Sequence, residues 1–150
     1  MDLSELYSDR ILEIAGNQPI PGRLLQPDAS ARRVSRVCGS MIEVDITVAD
    51  GTITGYGHQI SACALGQTSA AIVARNIAGT PVAEFRALSA QMRAMLTGEG
   101  PPPDGKWSDL RYLQAVRDYR PRHASTLLVF DAVVEALDQL ESAQAVTDVS

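Results

Sequence analysis

Cysteine and histidine are scarce in this chain: its 150 residues hold two of each. Two cysteines allow at most one disulfide, and a domain of this length can bury enough apolar surface to fold without one. Reduced thiols in a cytosol are therefore expected. No apolar run is long enough to cross a bilayer. The opening Met1-Asp2-Leu3-Ser4-Glu5-Leu6 lacks the basic residues and apolar stretch of a secretory signal. A cytoplasmic protein without a membrane partner is the expectation. Basic residues are missing from the end of the chain, since all 13 lie before residue 131. The last twenty positions carry Asp131, Glu135, Asp138, Glu141 and Asp148, which account for the whole formal charge of −5. Residues 1–130 are then formally neutral, and nucleic-acid binding has little electrostatic drive. A local cluster of Arg111, Arg117, Arg120 and Arg122 leads up to His123; a solvated surface is favoured over a rim for an acidic partner. There is no internal repeat and no linker. A single domain over 1–140 is expected, with 141–150 a disordered tail.

What is present is strong patterning. Leu3, Tyr7, Ile11 and Ile14 recur at helical spacing and Gly16 is a stop signal. Residues 17–31, with Pro19, Pro21, Gly22 and Pro27, read as an extended connector. Three strands follow, at about Arg32 to Val37, Met41 to Val48 and Thr52 to His58. In the second, Ile42, Val44, Ile46 and Val48 alternate with Met41, Glu43, Asp45 and Thr47, which predicts a sheet covered on one side. Asp50-Gly51 is a hairpin signal, and Gly55 and Gly57 predict a bulge or a close backbone approach. Beyond Cys63 the pattern turns helical through Leu65, Ser69, Ile72, Val73 and Ile77. Thr80 is expected to cap a second helix with Pro81 at its first position, running to Gly98. Gly98 to Gly105 reads as a surface loop. A short helix from Ser108 or Asp109 carries Leu110, Leu113 and Val116, and Pro121 ends it. The last helix is expected from His123 to Leu140, with Leu127, Val134 and Leu137 inward.

The scarce residues fall at the ends of these elements. Cys38 opens the Cys38-Gly39-Ser40 turn, Cys63 lies at a strand-to-helix junction, and His123 lies just before the last helix. A cysteine at a helix N-terminus is a better thiolate than a free one, because unpaired amides favour the anion. An imidazole at another helix start is biased toward the neutral, metal-binding form. Two thiolates and an imidazole suit zinc or an iron–sulfur cluster and leave one position open. Each residue also has a plain structural reading: a cysteine as a small buried hydrophobe, His123 as a helix-end residue touching backbone, His58 as part of its strand. A third alternative is a thiol hydrolase or transferase with Cys63 as nucleophile and His123 as base.

The order of these motifs resembles the U-type iron–sulfur cluster scaffold family, which comprises IscU, SufU and the N-terminal domain of NifU. The resemblance rests on Cys38-Gly39-Ser40, on Ala62-Cys63-Ala64-Leu65-Gly66 with its run of small residues, on Arg122-His123-Ala124-Ser125, and on the Val48–Ile53 hairpin. It covers roughly residues 5–140, and the segment from Gly98 to Arg120 is similar to the insertion of SufU-like members. It implies an α+β fold: a three-stranded antiparallel sheet packed on one face by helices, with an N-terminal helix and C-terminal helices. It implies a non-enzymatic scaffold that takes sulfur from a cysteine desulfurase and serves apo iron–sulfur proteins. Cys38 would be the persulfide acceptor. Cys38, Cys63 and His123 would bind zinc, iron or a transient Fe–S cluster, with a partner's cysteine or a second copy in a homodimer as one source of the fourth ligand. Ser40 stands where the family has aspartate, and Ala124 where it has a third cysteine. A divergent member acting as a partner-binding module without cluster chemistry is the alternative these departures raise.

Overall fold

The computed structural model describes residues 8–17, 22–36 and 39–149. The first helix, α1 (Asp9–Gly16), begins at Ser8, whose hydroxyl accepts the Ile11 amide at 3.3 Å. Ile11 and Ile14 are its buried residues; Leu3 and Tyr7, expected on the same face, lie outside the described residues. Strands β1 (Ala29–Ser35), β2 (Ser40–Ala49) and β3 (Thr52–Ser61) form an antiparallel sheet in sequence order. The first strand begins and ends earlier than its sequence pattern suggests. Asp50 and Gly51 turn β2 into β3 with φ of 53° and 75°, the left-handed pair that a two-residue hairpin needs.

A fourth strand was not expected. Thr80 and Pro81 form β4, which pairs with Ile53 and Thr52 at the sheet edge. Thr80 therefore does not cap the following helix α3 (Val82–Thr97), whose N-cap is Pro81. Its hydroxyl instead donates to the Asn76 carbonyl at 3.2 Å and accepts from Lys106 Nζ at 2.6 Å.

The register assigns the two faces of the sheet. Ile42, Val44 and Ile46 stand opposite Ile60, His58 and Tyr56 and face the helices. The long last helix, α4 (His123–Val149), lies across β1 and β2 and packs on α2 (Ala64–Asn76) and α3. Leu127, Leu128, Val129, Phe130, Ala132 and Val133 are all buried, so the helix is enclosed on several sides. It continues past Leu140, its expected end. Among the described residues no helix is long and apolar enough to cross a membrane.

The helices cover one face of the sheet as expected, and the connector adds partial cover to the other. Asp45 lies on that face yet is fully buried. The connector folds back over it: Arg23 Nε and Nη2 donate to its two carboxylate oxygens at 2.6 and 2.9 Å, the Leu24 amide donates at 3.0 Å, and Ser30 adds its hydroxyl. The Gly22 carbonyl and Leu24 lie against Gly57, the close approach predicted there, and the register slips by one residue between Thr47 and Val48 opposite Thr54.

The expected short helix after the Gly98–Gly105 loop is a 14-residue 3₁₀ run, Gly105–Asp118, beginning earlier than Ser108. Its buried residues are Trp107, Leu110, Leu113 and Val116. That spacing of three is the 3₁₀ period, so one stripe stays on one side along its length. Trp107 meets Phe85 edge to face at 6.1 Å, and Phe85 stacks on Phe130 at 6.0 Å. These rings join the 3₁₀ run to α3 and α4.

Candidate functional site

Three elements begin at one place. Ser40 opens β2 on its helix-facing side, Cys63 is the N-cap of α2, and Ser125 lies in the first turn of α4. Their side chains form a chain: Ser40 Oγ is 3.1 Å from Ser125 Oγ, which is 3.3 Å from Cys63 Sγ. Both serines are buried and Cys63 is half-buried, a free thiol. Burial pushes the Cys63 thiol up; the Ser125 hydroxyl, the Gly66 and Leu65 amides at the helix opening and the Arg122 charge outweigh it, and the net effect is a thiol below its ordinary value.

The helices can meet here because residue 66 is glycine. A Cβ on Gly66 would stand 2.8 Å from Ser125 Oγ and 2.9 Å from Ala62 Cβ, tighter than real side chains allow. The small residues after Cys63 thus serve packing, and Ser125 reaches the sulfur because of it.

His123 is placed differently. Its Nε2 lies 2.9 Å from the Val116 carbonyl and 3.0 Å from that of Arg117. Two acceptors fix the proton on Nε2, so Nδ1 is the ring atom with a lone pair to offer. The side chain lines a cavity of about 350 Å³ with Leu96, Thr97, Arg117 and Arg120. The hydrogen bonds of His123 run to backbone and not to Cys63, so the structure does not assemble the nucleophile–base pair of a thiol hydrolase. Cys38 lies outside the described residues, two positions before Ser40 in the sequence. Among the described residues no group of three or more histidine, cysteine, aspartate or glutamate side chains is close enough to hold a metal ion. Ala124 is exposed. His58 is structural, as read from sequence: buried, and 2.7 Å from the Tyr56 hydroxyl through Nδ1.

Ser125 was not singled out from sequence. A serine carries no pattern of its own; the only signal was its place two residues after His123, and its partners come from elements far apart in the chain.

No protein-family model matches the chain. The chain is 45% identical to a nitrogen-fixing NifU-like protein (N-terminal) from Brucella abortus, over 93% of this chain and 97% of that one, and the structures agree with a TM-score of 0.91. The iron–sulfur cluster assembly scaffold protein IscU of Thermotoga maritima is 24% identical over 135 residues, covering 90% of this chain and 94% of its own. The same fold, at 18% identity and a TM-score of 0.76 over 91% of this chain and 99% of the other, occurs in a structure from Fervidobacterium islandicum AW-1 described as a cluster assembly scaffold for the SUF system. The antiparallel sheet with helices on its inner face, four-stranded among the described residues where three strands were expected, does not disturb the likeness; 45% identity to the Brucella protein over 93% of the chain makes this chain a member of the U-type iron–sulfur cluster assembly scaffold family, whose proteins are scaffolds and not enzymes.

Proposed function

We propose that this scaffold accepts sulfur from a cysteine desulfurase and holds it, with iron, on its two thiols before passing the product to apo iron–sulfur proteins. Cys38, two positions before Ser40 in the sequence, is the first acceptor of persulfide sulfur, and Cys63 takes it on. The donors suit the cargo: thiolates and an imidazole favour zinc and iron over hard cations. Cys38, Cys63 and Nδ1 of His123 would be the protein ligands, with water, a small thiol, a partner's cysteine or a second copy of the chain in the fourth place. The protein would work where thiols stay reduced, as in the cytoplasm.

The observation that carries this reading is the setting of Cys63. It is half-buried at a helix N-terminus, its thiol is held down by hydrogen bonds, and Ser125 links it to Ser40 at the start of β2. The test is metal and acid-labile sulfide per chain after anaerobic purification. About one equivalent of zinc or iron is expected in wild type and none in Cys63→Ala, because metal affinity depends on each deprotonated ligand. Stoichiometric metal in the double variant Cys38→Ala/Cys63→Ala would overturn it.

The exposed Ala124 and the backbone-bound Nε2 of His123 favour a second reading, a partner-binding module without cluster chemistry. It requires desulfurase binding to persist when both cysteines are replaced.

A further inference from the structure

A hydroxyl has one proton to donate and two lone pairs to accept with. When the sulfur of Cys63 carries no proton, Ser125, 3.3 Å away, can only donate to it. The Ser125 oxygen then accepts from Ser40, 3.1 Å behind it. The chain of hydroxyls has a single polarity, aimed at Sγ. Both serines are buried, so water does not compete for these bonds, and each is stronger than it would be at a surface. Ser35 stands opposite Ser40 in the strand register, and its buried hydroxyl has no hydrogen-bond partner among the described residues, so the hydroxyl chain ends at Ser40. The close approach at Gly66 is what admits Ser125 to the sulfur.

Resting on the sulfur-carrying reading above, we propose that the Ser40–Ser125 pair activates Cys63 as the leaving group when sulfur is handed on. In that step an acceptor thiolate attacks the outer sulfur of a Cys63 persulfide. A sulfur–sulfur bond forms to the acceptor, the bond to Sγ breaks, and its electron pair stays on Sγ. The acceptor leaves as the new persulfide, and Cys63 is left as a thiolate. No oxidant or reductant is consumed. Charge develops on Sγ, where the Ser125 hydroxyl is already aimed, so the donor needs no rearrangement as the bond breaks. Ser125 touches the reacting sulfur. Ser40 is a positioning residue that acts through Ser125.

The test uses the full chain with Cys38→Ser, so that Cys63 is its one thiol, loaded with inorganic polysulfide and freed of excess. Cyanide then removes the outer sulfur as thiocyanate, breaking the same bond with the same leaving group. Adding Ser125→Ala is expected to slow thiocyanate release about tenfold or more, the scale of one hydrogen bond to a charged atom. Ser125→Thr, which keeps a hydroxyl, restores most of the rate, and Ser40→Ala slows it less than Ser125→Ala. Release from the Ser125→Ala protein at the parent rate would overturn the proposal, as would a folded Ser125→Thr protein as slow as Ser125→Ala. If neither wild type nor any of these variants takes up sulfur, the sulfur-carrying reading fails, and the hydroxyl pair is judged on the bare thiol. Iodoacetamide alkylation slowed by Ser125→Ala and rescued by Ser125→Thr then supports it; equal rates overturn it.

Discussion

Asp45 shows how much one side chain can hold. Its carboxylate is fully buried on the outer sheet face and takes four hydrogen bonds from the connector and β1. The Arg23 hydrogen bonds lead in pulling it below its ordinary value of 3.8, against the opposing effect of burial, with Ser30 and the Leu24 amide assisting. A folded carboxylate below its unfolded value adds stability that is fully present above the unfolded value and is lost as pH falls through the folded one. Acid titration of wild type should therefore show stability falling steeply below about pH 4. Asp45→Asn should start lower at neutral pH, by about 1.5–3 kcal/mol because the charged hydrogen bonds to Asp45 are lost while Arg23 keeps Glu43, and fall less steeply in acid. Denaturant melts at a series of pH values check this; parallel curves for the two proteins would remove Asp45 from the account. From sequence Asp45 was only the polar half of an alternation. Its burial comes from a connector that folds back over the sheet, which no local pattern reports.

The element scale separates what local chemistry specifies from what tertiary contacts decide. The β2–β3 hairpin was legible because alternation and Asp50-Gly51 agree, and both turn residues take positive φ. Thr80-Pro81 was misread because the same two residues suit a helix start and an edge strand. Pairing of their backbone with Thr52 and Ile53 decides for the strand. The segment after the proline loop was seen as helical but with the wrong period, although Trp107, Leu110, Leu113 and Val116 follow one another at intervals of three. Its packing gives a direct test. Trp107→Ala should cost about 3–5 kcal/mol, as for a large aromatic removed from a core, read as a lower denaturation midpoint with an unchanged slope. A change under about 1 kcal/mol would mean that the ring contacts with Phe85 carry no stability. Of the candidate site, Cys63 was legible because a cysteine at a strand-to-helix junction is rare, and His123 because it begins a helix. The role of Ser125 was not, since it exists only where α2 and α4 cross.

At the scale of the whole molecule, apolar packing is continuous among the described residues. Apolar residues from α1 to α4, from the 3₁₀ run Gly105–Asp118 and from β1, β2 and β3 form one continuous buried cluster, and Cys63 is a free thiol. Adding a chelator and a reductant should leave a single cooperative thermal transition, lowered only by the linkage of whatever metal is removed. Loss of that transition on chelation would show that folding depends on the ligand, as in small zinc domains. The fold can thus tolerate changes such as Ser40 and Ala124 at the ends of its elements. The 14-residue 3₁₀ run adds a mechanical consequence. At about 2.0 Å rise per residue it spans about 28 Å, where an α-helix of the same residues would reach only about 21 Å. It works as a strut cut to length: Lys106 at one end is fixed to Thr80, and the carbonyls of Val116 and Arg117 at the other hold the ring of His123. Relaxing the strut to the commoner helix would draw those anchorages together by several ångströms, so the spacing between the sheet edge and the start of α4 is set by the pitch of one segment.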